Sequence, residues 1–169
     1  MKRILLLFIA SFCVLEASAQ KVDSTSVKPS TISVDSLAQN LDKLQHNFNV
    51  LACEFAQQKI VFELKIFINS VDNHTDGIRL SMKEVGFNQE LYDEYLKSYD
   101  NTQVLLQMLK ISAETTQNNI DTITSHVSFS DAETNLLSAG NEVIQAAFKA
   151  AEQALSLFKT TLDYYEKTR

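Results

Sequence analysis

A rhythm of apolar residues three and four apart recurs three times along this chain, each run long enough for a helix of many turns. The first run is Val34, Leu37, Leu41, Leu44, Phe48, Leu51 and Phe55. The second extends from Tyr92, Tyr95 and Tyr99 through Thr102, Leu106, Leu109, Ala113, Thr116, Ile120 and Ile123 to Val127. The third is Leu137, Asn141, Ile144, Phe148, Ala151, Leu155, Phe158, Leu162 and Tyr165. Residues so spaced share one helix face, and each face requires burial against another helix. Three such faces predict an all-α chain, an elongated, coiled-coil-like antiparallel three-helix bundle. Three glycines and one proline in 169 residues suit long helices and disfavour a sheet rich in turns.

The N-terminus reads as an export signal. Lys2 and Arg3 precede an apolar stretch from Ile4 to Leu15, and Ala17-Ser18-Ala19 supplies a small-x-small cleavage pattern. Residues 1–19 are therefore expected to be removed, and the mature chain is expected to be periplasmic or extracellular. Residues 20–30 are polar, include the only proline and read as a flexible tail. The mature chain of roughly 150 residues fits one domain. No other segment is an uninterrupted apolar run of spanning length; Ile60 to Ile68 is broken by Glu63 and Lys65. Stable membrane insertion of the mature chain is accordingly not expected. The net charge of -6, without a basic cluster, argues against nucleic acid.

The helices are expected at about 33–70, 88–126 and 131–166, together forming the bundle domain 31–169. Ser33 is placed to cap the first and Asn88 the second. Ser130-Asp131-Ala132-Glu133 opens the third as a capping box. The short link near 127–130 makes the second and third helices antiparallel neighbours. The regular heptad of the first helix fades near Gln58, and Ile60 to Ile68 is apolar on nearly every side. Over 60–83 two readings compete. One is continued helix followed by a short non-helical flap at 78–85 in the first inter-helix link. The other is a hairpin, because Phe62, Leu64, Ile66 and Ile68, then Ile78, Leu80 and Met82, alternate as strands do. Leu91, Leu96, Leu105, Met108, Ile111, Val143 and Leu157 are expected to widen the buried faces beyond a two-stranded seam; either the bundle is globular or a second copy completes it.

Chemical signals are sparse. Asp72-Asn73-His74-Thr75-Asp76-Gly77-Ile78 resembles the opening of an EF-hand loop, with acidic residues at its first and fifth positions and glycine at the sixth. The third position is His74, however, and the twelfth, which calls for a bidentate glutamate, is Lys83. A polar turn between helices accounts for the same residues. His46, His74 and His126 lack metal-ligand spacing, and no nucleophile elbow, phosphate loop or Cys-x-x-Cys is present. No catalytic residue, metal or cofactor is assigned. Cys13 leaves with the signal, so Cys53 has no intramolecular partner. It is either an intermolecular thiol or a small buried hydrophobe, and Val50 and Ala52 beside it favour burial.

Tyr92, Tyr95 and Tyr99 should meet Tyr164 and Tyr165 at one end of the bundle, as an aromatic core plug or an interaction patch. The expected function is an exported, non-enzymatic bundle acting through protein–protein contacts, its partners being unidentified proteins or further copies in a homo-oligomer. A client-binding chaperone and a membrane-active helical protein are the alternatives.

Overall fold

The computed structural model describes residues 33–169; the signal peptide and the polar tail read from the sequence lie outside them. Three helices account for nearly all of this span: α1 (Val34–Glu84), α2 (Gln89–His126) and α3 (Asp131–Lys167). The chain divides into two compact units, Met1–Gln39 and Asn40–Arg169. Of the first, the described part is the opening turn of α1, where the Ser33 hydroxyl accepts the Ser36 N–H and all residues from 33 to 39 are exposed. The bundle belongs to the second.

Within that unit the helices run up, down and up. His46 meets Glu133, Gln57 meets Leu137 and Asn141, and His74 stacks on Phe158, so α1 and α3 are parallel. Tyr92 meets Tyr165, Tyr99 meets Phe158 and Lys110 meets Glu152, so α2 is antiparallel to α3. The expected caps form: Asn88 accepts the Leu91 N–H, and Ser130 and Glu133 make a reciprocal capping box.

The second and third apolar runs face inward as expected. The first does not. Leu37, Leu41, Leu44, Phe48, Leu51 and Phe55 are all exposed, and α1 instead buries Cys53, Gln57, Ile60, Leu64, Phe67, Val71, Thr75 and Ile78. These keep their own three-four spacing, on the opposite side of the helix. Geometry supplies the reason. His46 is the point where α1 reaches the α2–α3 turn, contacting Glu133 and Phe129. Leu41 and Leu44 therefore precede the contact with α3, and the buried seam is set where α2 and α3 stand alongside. Burial of each large apolar side chain contributes about 1.5–3 kcal/mol, which lets the 53–78 seam fix the rotation of α1 within the bundle unit.

This seam also overturns the expected flap, the end of the first helix near 70, the hairpin and the polar turn. α1 continues unbroken to Glu84, fourteen residues further than the pattern suggested. Thr75 and Ile78 extend the seam through Asp72–Ile78, with Asp72, Asn73 and Asp76 turned to solvent. The buried Thr75 hydroxyl is satisfied by the Val71 carbonyl. Gly77 lies against Tyr95, whose phenol oxygen would be 3.1 Å from an added Cβ. The helix stops at Gly86, which has φ 74°, with its N–H and that of Val85 both donating to the Ser81 carbonyl.

Of the residues expected to widen the core, Leu96 packs against it, whereas Leu105, Met108, Ile111, Val143 and Leu157 are exposed. Two polar fastenings join the elements. The Gln57 amide donates to the Leu137 carbonyl at 2.9 Å and to Asn141 Oδ1 at 2.8 Å, and Gly140 makes room for it. At the other end the Tyr165 phenol accepts the Asn88 N–H at 2.9 Å and donates to the Gly86 carbonyl at 3.2 Å, tying α3 to the α1–α2 link.

Two substitutions test these fastenings. Gly140→Ala places a methyl group on the Gln57 amide oxygen and should destabilise by about 1–3 kcal/mol. Tyr165→Phe keeps the ring but leaves two backbone groups without their partner, costing about 1–3 kcal/mol. Urea unfolding should report both as a lower midpoint with unchanged slope.

Candidate interaction surface

At about 100° per residue, Leu41, Leu44, Phe48, Leu51, Phe55 and Phe62 fall on the face of α1 opposite the buried seam. Their exposures run from 62% to 71%. Apolar side chains left in water at heptad spacing over this length mark a surface built for contact. Along the bundle the stripe widens onto both neighbours. On one side Phe62 shares a shallow groove with Val61, Leu136, Ala139 and Val143 of α1 and α3. On the other, Ile66 lines a groove with Leu105, Met108 and Leu109 of α2. Exposed apolar residues of α2 and α3 thus border α1 on both sides.

A latch fixes where the stripe leaves the bundle. His46 Nε2 lies 2.9 Å from Glu133 Oε1, and the other oxygen of Glu133 accepts the Ser130 N–H at 2.8 Å. The Ser130 backbone, His46 and the Ser130 hydroxyl together lower the Glu133 pKa from 4.5 to about 2. The carboxylate serves helix capping and inter-helix attachment at once.

The five tyrosines do not form one patch. Tyr165 is completely buried, with Phe87, Tyr92 and Tyr95 rings around it at centroid distances of 5.3, 6.4 and 6.5 Å. Tyr99 meets Phe158 edge-on at 5.5 Å, and the Tyr95 phenol is 3.1 Å from the Ser81 hydroxyl. The two clusters share one end, as antiparallel packing requires, and four of the five residues pack against the core there. Tyr164 points away and is 62% exposed. Burial, then the charge and hydrogen bond of Glu166, raise the Tyr92 pKa. Lys159 is raised through its hydrogen bond to Asp163.

Cys53 is enclosed with Ile120 and Leu137, and its pKa is raised by burial and by Glu54. Such a thiol is a weak nucleophile, and an intermolecular bridge would require it to leave the core. Its position two residues from Leu51 and Phe55 was the available sign that the first run faces outward. The sequence reading set Cys53 against that run and gave the run the core.

Among the described residues, no three His, Cys, Asp or Glu side chains converge as a metal-binding group, and no helix is long and apolar enough to cross a membrane. His74 is in the interior of a helix and stacks on Phe158 at 5.7 Å, and His126 Nδ1 is 2.8 Å from the Thr122 carbonyl.

No protein-family model matches the chain, and neither a curated protein nor a solved structure is detectably similar to it.

The latch carries a pH signature. A carboxylate whose pKa falls on folding contributes stability above its unfolded pKa and loses it as pH drops through the folded value. Wild-type stability should therefore decline between pH 4.5 and about 2 by more than that of Glu133→Gln, since the variant lacks this titration. The two chemical-unfolding midpoints, followed over that range, should converge as pH falls.

Proposed function

We propose that this protein is an exported, non-enzymatic helical bundle that works by protein–protein contact, as an envelope scaffold, adaptor or accessory subunit of a surface assembly. The observation that carries the reading is the outward stripe of α1 from Leu41 to Phe62, an apolar face that folding of the bundle leaves uncovered. Export is supported by the charged, apolar and small-residue succession of residues 1–19. The shifted titratable groups support action by contact. Glu133 caps a helix, Tyr92 packs at the aromatic end, Lys159 pairs along its own helix, and Cys53 fills the core. Each is committed to holding the fold.

The test is crosslinking and affinity capture of the tagged protein from its native envelope, beside a Leu51→Glu/Phe55→Glu variant. Both substituted side chains project into solvent, so the variant should fold with the wild-type helical content. A defined set of captured proteins that the variant loses is expected. Identical capture by both proteins would contradict the reading. A diffuse population of unfolded envelope proteins would move it to the chaperone alternative.

A further inference from the structure

We propose that the outer face of α1 pairs with the same face of a second copy of this chain, as a parallel, in-register two-stranded coiled coil over residues 41–62. This rests on the reading of α1 as a contact surface and names the occupant.

The spacing assigns the seam. Leu41, Phe48, Phe55 and Phe62 recur every seven residues, and Leu44, Leu51 and Gln58 stand three residues after the first three of them. This is the a and d pattern of a two-stranded seam, with each knob entering a hole in the facing helix. α1 already uses its opposite face against α2 and α3, so two copies can join through α1 with their bundles directed away from each other.

Two features select a parallel and in-register partner, a polar seam position and a flanking charge pair. Gln58 occupies a d position in an otherwise apolar seam. In the parallel, in-register pair it faces its own counterpart, and two amides can hydrogen-bond across the axis. In an antiparallel pair d residues face a residues, which here are Leu41, Phe48, Phe55 and Phe62, leaving the amide against hydrocarbon. Glu54 and Lys59 flank the seam at g and at the e position of the next heptad. That spacing sets Glu54 of one copy beside Lys59 of the other in the parallel register. Lys59 is largely exposed and pairs loosely with Glu63 of its own helix at 3.7 Å, a contact that Glu54 of the second copy would share or replace.

The area is sufficient. A buried aromatic ring covers roughly 150–250 Å² and leucine somewhat less, about two-thirds of it free here, so the pair would bury roughly 1,400 Å². Stable interfaces bury about 1,200–2,000 Å² in total.

Sedimentation velocity of the purified protein over a concentration series reads the association directly. The wild type should sediment as a dimer. Leu51→Glu/Phe55→Glu, with unchanged helical content and the cooperative unfolding of a folded bundle, should be a monomer, its dissociation constant raised at least about a hundredfold. Leu44→Cys reads the orientation, because a parallel, in-register seam brings the two introduced thiols together and an antiparallel one does not. Oxidation should convert this variant to a covalent dimer, while the wild type, whose Cys53 is buried, remains reducible-crosslink-free. A monomeric wild type, or a dimer that survives the double glutamate substitution, would overturn the proposal. Dissociation by the glutamates without crosslinking through Cys at 44 would overturn the parallel register. A monomeric wild type whose envelope partners are still lost on Leu51→Glu/Phe55→Glu would reject the second copy but keep the contact surface. Loss of neither would reject both.

Discussion

The fold depends on which face of α1 is buried. The helix carries two apolar faces on opposite sides, and α2 with α3 covers one of them. Cys53, Ile60, Leu64, Phe67, Val71 and Ile78 fill the space between the other two helices, almost wholly removed from solvent. Once that seam is set, the rotation of α1 is fixed along its length, because a helix turns as a rigid rod over distances of this order. The outward direction of Leu41, Leu44, Phe48, Leu51 and Phe55 is then a geometric consequence. So is the placement of His46 at Glu133 and of Gln57 against Gly140.

The two ends of the bundle are secured by different chemistry. At the α2–α3 turn the fastening is polar: a histidine–carboxylate contact joined to a capping box, with Cys53, Ile120 and Leu137 as a small apolar cluster beside it. At the α1–α2 link it is aromatic, with Tyr165 at the centre and its phenol bonded to the link's backbone. A buried tyrosine hydroxyl needs a partner, and the turn at Gly86–Asn88 needs one too. Each satisfies the other. Of the two roles the sequence offers the tyrosines, core plug or interaction patch, four of the five take the plug that closes this end.

Much of the architecture was legible in the sequence. The runs in α2 and α3 are the faces those helices bury, and Asn88 and the Ser130–Glu133 box mark their starts. α1 was harder for two physical reasons. Its more regular stripe, at 34–55, is the one the bundle leaves exposed, and periodicity alone reports that a face is apolar without saying what covers it. Beyond Gln58 both faces carry apolar residues, with Phe62 and Ile66 outside and Ile60, Leu64 and Phe67 inside, so helical periodicity cancels and alternation imitates a strand. The signal for the true end of α1 was Gly86, whose positive φ stops the helix, while Asp72–Gly77 reads locally like a turn and is held helical by Val71, Thr75 and Ile78. Tertiary burial outweighs local turn preference there.

The central claim is that α1 packs through the 53–78 seam and leaves its other side free. Positions two residues apart separate the two faces, since Leu64 is fully buried and Ile66 is 53% exposed. Equilibrium unfolding of Leu64→Ala and Ile66→Ala, compared with wild type, tests the claim most directly. The account predicts a loss of about 2–5 kcal/mol for Leu64→Ala and less than about 1 kcal/mol for Ile66→Ala. Equal losses, or a greater loss at Ile66, would mean that the helix is turned the other way.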